Sequence, residues 1–104
     1  MKVELLYFDG CPGHAELRER LPGLLAEGGV DAELEERRVD SEQAADRESF
    51  LGSPTVRVDG RDVDRGAHDR SYGLRCRLYA GEDGLRRVPP DAWIIEALLA
   101  DRQE

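Results

Sequence analysis

Two cysteines and one nearby histidine are the residues of this chain best suited to covalent chemistry. Cys11 opens the run Cys11-Pro12-Gly13-His14, between an apolar stretch and a helical pattern. A sulfur at a strand-to-helix junction meets unpaired backbone N–H groups and the positive end of the helix dipole. Both favour the thiolate, which is the nucleophile in disulfide exchange and the ligand of soft metals. The plainer reading makes Cys11 a small apolar cap on a turn. His14 lies three residues on, on the same helix face. Protonated, it would steady the thiolate; neutral, it would serve as a base; otherwise it is an exposed polar residue of a first turn. Asp9 is a candidate proton acceptor, although an Asp in Asp9-Gly10 more often makes a turn.

Cys76 sits in Leu74-Arg75-Cys76-Arg77-Leu78. The alternation puts Leu74, Cys76 and Leu78 on one face, so it reads first as a buried strand cysteine. The alternative is a resolving partner for Cys11, which requires the two Cα atoms to lie within about 7 Å. A metal site from Cys11, His14, His68 and Cys76 fits no compact zinc spacing, so neither metal nor cofactor is expected.

These residues need elements to hold them. Residues 2–8 read as a buried strand ended by Asp9-Gly10. Pro12 suits a first helical position, and Leu17, Leu21, Leu24 and Leu25 recur at helix spacing up to Gly28-Gly29. Pro22 inside that pattern predicts a kink or break near residues 18–22. Residues 30–39 permit a charged edge strand, and 41–50 a short helix opened by Asp40-Ser41. Pro54–Val58 reads as a strand followed by the turn signal Asp59-Gly60. Residues 61–73 read as a long polar loop, 73–79 as the next strand, and 81–88 as a loop. Pro89-Pro90-Asp91 starts a last helix carrying Trp93, Ile94, Ala97 and Leu98. The order strand, helix, strand, helix, strand, strand, helix implies an α/β fold, with a parallel crossover and then an antiparallel pair joined by a wide connection.

With 104 residues, one domain over 1–104 is expected. Leu, Ile, Val and Phe make up only 24 residues and 37% of the chain is charged, so order must be argued from pattern. A net charge of −8 without a basic stripe argues against nucleic acid as a partner. No apolar run spans a bilayer and the N-terminus lacks secretory-signal features, so no membrane partner and a cytoplasmic location are expected. There, thiols are normally kept reduced.

The element order, the Cys-Pro turn after the first strand and the Pro opening the third resemble the thioredoxin-like superfamily. More narrowly, Tyr7-Phe8-Asp9-Gly10-Cys11-Pro12, Gly52-Ser53-Pro54-Thr55-Val56, Val58-Asp59-Gly60-Arg61-Asp62 and Tyr72 to Tyr79 resemble small bacterial thioredoxin family proteins, some labelled alkylmercury lyase-like. The resemblance implies a four-stranded mixed sheet in the order β-α-β-α-β-β-α with helices on both faces. It implies a cis bond before Pro54, and a docking edge shaped by Pro12, Ser53, Pro54 and Thr55. It also implies thiol–disulfide exchange through Cys11 with a small thiol or a protein disulfide, resolved by Cys76 or an external thiol. Thioredoxins carry Cys-x-x-Cys at this turn, whereas here the fourth position is His14. Exchange within the motif is therefore closed to this chain. The rival readings are a mercury or organomercurial handler, with Asp9 as proton donor, and a non-enzymatic binding module of the same fold.

Overall fold

The computed structural model describes residues 1–29, 31–64, 72–82 and 84–102, with side chains up to residue 100. Strand β1 (Lys2–Tyr7) lies at the centre of a sheet because its apolar side chains serve both faces. Helix α1 (Pro12–Glu27) follows it, and strand β2 (Glu33–Arg38) returns parallel to β1. Helix α2 (Glu42–Glu48) is capped by the Ser41 hydroxyl, which accepts from the Ala44 N–H. Strand β3 (Thr55–Val58) pairs antiparallel with β1, and the short β4 (Arg61–Asp62) pairs antiparallel with β3. Beyond them lie a two-stranded ribbon, β5 (Tyr79–Gly81) with β6 (Gly84–Arg86), and helix α3 (Asp91–Arg102).

The result is a mixed α/β fold around a four-stranded sheet in the order β2-β1-β3-β4. Alternation along the strands sorts side chains to two faces. Val3, Leu5, Val56 and Val58 pack against Leu17, Leu21 and Leu24 of α1 and Ile94 and Leu98 of α3. Leu6 turns to the other face, against Ala44, Ala45 and Phe50 in and after α2. Each such Leu withdrawn from water contributes about 1.5–3 kcal/mol. On that second face Glu4 is buried and held by Arg37 of β2 at 2.9 Å, while Arg37 reaches Glu48 at 2.6 Å. The charged strand β2 is an edge, as expected of it.

Four local expectations are corrected. Of the kink or break expected near residues 18–22, the break does not occur, since α1 runs continuously through Pro22. Arg18, whose carbonyl loses its N–H partner there, is exposed along with Pro22, so water can take the place of the missing donor. The fourth strand is not 73–79 but β4, reached through a two-residue turn. Asp59 and Gly60 both have positive φ (48° and 86°), the combination that closes a tight hairpin. Residues 81–88 are not all loop, since they include β6.

The fourth correction bears on the site. From Cys76 to Tyr79 the face assignment is inverted, whereas Leu74 is partly buried against the core as expected. Arg77 and Tyr79 point inward, whereas Cys76 and Leu78 are exposed. A one-residue change of phase moves every side chain to the other face. The inversion is stabilised by Asp62, which takes the Arg77 guanidinium in a two-pronged bond at 2.7 and 3.0 Å. Residues 65–71, with His68 and most of the expected polar loop, lie outside the described residues. Among the described residues no helix is long and apolar enough to cross a membrane.

Candidate functional site

Cys11 is the N-cap of α1, with extended backbone (φ −83°, ψ 118°) and Pro12 at the first helical position. Its side chain does not cap the helix. The Sγ donates instead to the Ser53 carbonyl at 3.3 Å, and the residue is only 6% exposed. The approach of α1 to this point depends on Gly13. A Cβ there would sit 2.7 Å from the Arg87 carbonyl oxygen and 2.9 Å from Pro54 Cδ. Only glycine lets the helix start lie this close to the Pro54 ring.

The Ser53–Pro54 peptide bond is cis. Ser53 is fully buried, and its hydroxyl accepts from the Phe8 N–H at 3.3 Å, tying the start of the third strand to the end of the first. Its backbone is used twice more. The Ser53 N–H donates to the Arg75 carbonyl and the Arg77 N–H donates to the Ser53 carbonyl, both at 2.8 Å. Ser53 and Cys76 are therefore partners in a parallel β-bridge. The Ser53 carbonyl thus serves both Arg77 N–H and Cys11 Sγ, one for each lone pair.

That bridge brings Cys76 to Cys11, which the sequence reading left open. Both thiols are free, and both are held at the Ser53 peptide unit, Cys11 by its Sγ and Cys76 by its backbone. The Cys76 thiol is held above its ordinary value, first by partial desolvation and then by the charge of Cys11 and thiol–thiol hydrogen bonding. The Arg87 charge pulls the other way.

The segment that carries Cys76 is anchored on both sides of it. Besides Asp62, the Arg77 guanidinium reaches Thr55 Oγ1 at 3.1 Å and Asp64 at 3.7 Å, and stands 4.5 Å from the centroid of the Tyr79 ring. Burial opposes its charge most, but the bond to Asp62 leads the contributions that together raise its pKa. Its Nε is buried without a partner among the described residues. The Tyr79 hydroxyl donates to the Pro54 carbonyl, and Thr55 Oγ1 donates to the Gly52 carbonyl at 2.6 Å. Residues 52–55 are thus gripped by Arg75, Arg77 and Tyr79. None of Arg77, Tyr79 and Asp62 was singled out from the sequence, because an arginine in an alternating run reads as a solvated residue.

His14 is placed differently from the expectation. Its ring stacks on Tyr7, with centroids 3.6 Å apart and planes 3° off parallel, and Nε2 lies 3.4 Å from Glu36 Oε1. The His14 N–H donates to the Cys11 carbonyl at 3.2 Å, a link through the backbone rather than the ring. Asp9 is an exposed turn residue paired with Arg38 at 3.1 Å. Of the expected site residues, the structure therefore gathers Cys11, Pro12, Ser53, Pro54, Thr55 and Cys76, and directs the His14 ring elsewhere.

Among the described residues no group of three or more His, Cys, Asp or Glu side chains is arranged to hold a metal ion. A separate cleft of about 450 Å³ lies at the start of α3, between Trp93, Tyr79, Arg20 and Arg86, and includes neither cysteine. No family model matches the chain, and neither a curated protein nor a solved structure does.

Proposed function

We propose that the protein is a thioredoxin-like thiol–disulfide oxidoreductase whose redox couple is Cys11 with Cys76. The thioredoxin-like reading is supported by the strand order β2-β1-β3-β4, with β1 parallel to β2 and antiparallel to β3. It is supported further by a cis Ser53–Pro54 bond packed on the start of the first helix. The observation that carries the chemistry is the gathering of two free thiols at one peptide unit, Cys11 bonded to the Ser53 carbonyl and Cys76 the bridge partner of Ser53.

The reaction balances as follows. One protein thiolate attacks a sulfur of a substrate disulfide, forming a mixed disulfide and releasing the first substrate thiolate, which takes up a proton. The second protein thiolate attacks the protein sulfur of that mixed disulfide and releases the second substrate thiol. The substrate disulfide gains two electrons, and the protein dithiol becomes an internal disulfide. A dithiol reductant returns it to the starting state.

The test is a redox titration in mixtures of reduced and oxidised dithiothreitol, with free thiols blocked and the protein weighed. A monomer that loses two hydrogens, with Cys11 and Cys76 joined in one peptide pair, is expected. A chain that stays a dithiol throughout, or forms only intermolecular disulfides, overturns the reading.

A second reading, capture of a soft cation by the same pair, is favoured by one observation. Two adjacent thiols without a third ligand among the described residues suit a two-coordinate thiophilic ion. Carbon–mercury cleavage is not supported, because the Asp9 carboxylate is engaged by Arg38.

A further inference from the structure

The backbone on which Cys11 rests has an N–H and a C=O that could pair with a passing extended peptide, the usual way a strand edge binds one. At Ser53 both groups are already taken. Arg75 and Arg77 occupy them at 2.8 Å each, and Cys76 is the residue between. The occupying segment is held by the Arg77–Asp62 pair and by Tyr79 on the Pro54 carbonyl. Gly52, with φ of 129°, lies under it, and a Cβ there would meet Arg77 Cβ at 3.0 Å and the Arg75 carbonyl at 3.1 Å. The chain is thus shaped to lay its own strand where a substrate peptide would lie.

Resting on the couple proposed above, we propose that Cys76 is the entry thiol of this site, and that the site takes low-molecular-weight disulfides rather than extended protein segments. Cys76 is exposed, whereas Cys11 is 6% exposed and its Sγ is turned to the Ser53 carbonyl at 3.3 Å. Exchange needs the attacking sulfur in line with the disulfide, and only Cys76 offers that line to a molecule in solvent. The raised pKa of Cys76 opposes this order, so the two effects must be weighed. Each unit of increase lowers the thiolate fraction about tenfold at neutral pH, but raises intrinsic nucleophilicity about threefold, leaving a loss of about three- to fourfold. A sulfur that must wait for the structure to open loses more than that. Cys76 therefore attacks the small disulfide, forms the mixed disulfide and releases one thiol. Cys11 then attacks the Cys76 sulfur and releases the second thiol, closing the internal disulfide.

The experiment mixes reduced Cys11→Ser and Cys76→Ser proteins with excess oxidised glutathione and follows the glutathione adduct by mass. The Cys11→Ser protein is expected to form its adduct on Cys76 at least about tenfold faster than the Cys76→Ser protein forms one on Cys11. Equal rates, or the reverse order, overturn the entry assignment. A ten-residue peptide disulfide is then offered to the Cys11→Ser protein. Slower reaction than with glutathione is expected, and equal or faster reaction overturns the size preference. Both comparisons use single-cysteine proteins, so they are read separately from whether the unaltered chain closes an internal disulfide.

Discussion

Ser53 and Cys76 are bridge partners across two parallel segments, and the Ser53 carbonyl that receives the Arg77 N–H also receives the Cys11 thiol. One buried peptide unit therefore fixes the positions of both cysteines. Its surroundings are backbone and closely fitted side chains, so disturbances at several remote-looking residues should converge on the thiols.

The first such residue is Arg77, whose side chain is 1% exposed and bound to Asp62. Arg77→Ala removes the cation and leaves the Asp62 carboxylate, only partly exposed, without it. Breaking a buried pair from one side costs about 3–5 kcal/mol. Denaturant unfolding of Arg77→Ala should show a loss of that size. Arg77→Lys keeps the charge but not the two-pronged bond, and should recover only part of it. A loss under about 1 kcal/mol for Arg77→Ala would mean that the segment is held by its backbone bonds alone.

Gly13 makes a steric prediction against local propensity. In a helix Ala is preferred to Gly by about 1 kcal/mol. Here the added methyl would meet the Arg87 carbonyl oxygen at 2.7 Å and the Pro54 ring at 2.9 Å, and the former cannot turn aside. Gly13→Ala should therefore destabilise, by about 1–3 kcal/mol, and should expose Cys11 to alkylation. The comparison Gly23→Ala, in the same helix with open space around its Cβ position, should be neutral or stabilising.

Much of this arrangement is legible in the sequence, and the reason differs from element to element. Strand β1, the start of α1 at Cys11-Pro12 and the Asp59-Gly60 turn are set by local signals, namely apolar runs, a proline at a helix start and a residue pair that tolerates positive φ. The charged β2 is an edge because its side chains require water. The segment 72–79 follows no local rule. Its burial pattern depends on Asp62 and Asp64, more than ten residues earlier, offering carboxylates to Arg77. Without those partners Leu74, Cys76 and Leu78 are the natural inward face; with them the phase inverts from Cys76 onward, while Leu74 keeps its side against the core. His14 has the same origin of error, since helix spacing places it near Cys11 but the ring is drawn to Tyr7 and Glu36 across the sheet edge.

The Tyr79 hydroxyl gives a smaller effect that separates anchoring from bulk. Tyr79 is fully buried and donates to the Pro54 carbonyl. Tyr79→Phe keeps the ring over Arg77 and removes only the donor. A loss of about 0.5–1.5 kcal/mol by denaturant titration is expected, larger if the carbonyl stays dry. No change would show that the carbonyl finds another partner.

The pH dependence of Cys76 supplies the last test, and its sign can be worked out in advance. Its pKa is raised in the folded protein by partial desolvation first, then by the charge and hydrogen bonding of Cys11, with Arg87 opposing. Alkylation of Cys76, followed residue by residue by mass, should thus have its midpoint above that of an unfolded thiol. Cys11→Ser removes the second and third causes but not the first, so the midpoint should fall part of the way back. Arg87→Ala removes the opposing charge and should move it further up. The same shift acts on stability. The folded chain keeps the Cys76 proton at pH values where the unfolded chain has lost it, so folding weakens as pH rises from the ordinary thiol value to the raised one, and levels off above it. Relative to the unaltered protein, Cys76→Ser should lack that alkaline decline. An unshifted Cys76 midpoint in the unaltered chain, identical in Cys11→Ser, would mean that the two sulfurs do not feel each other.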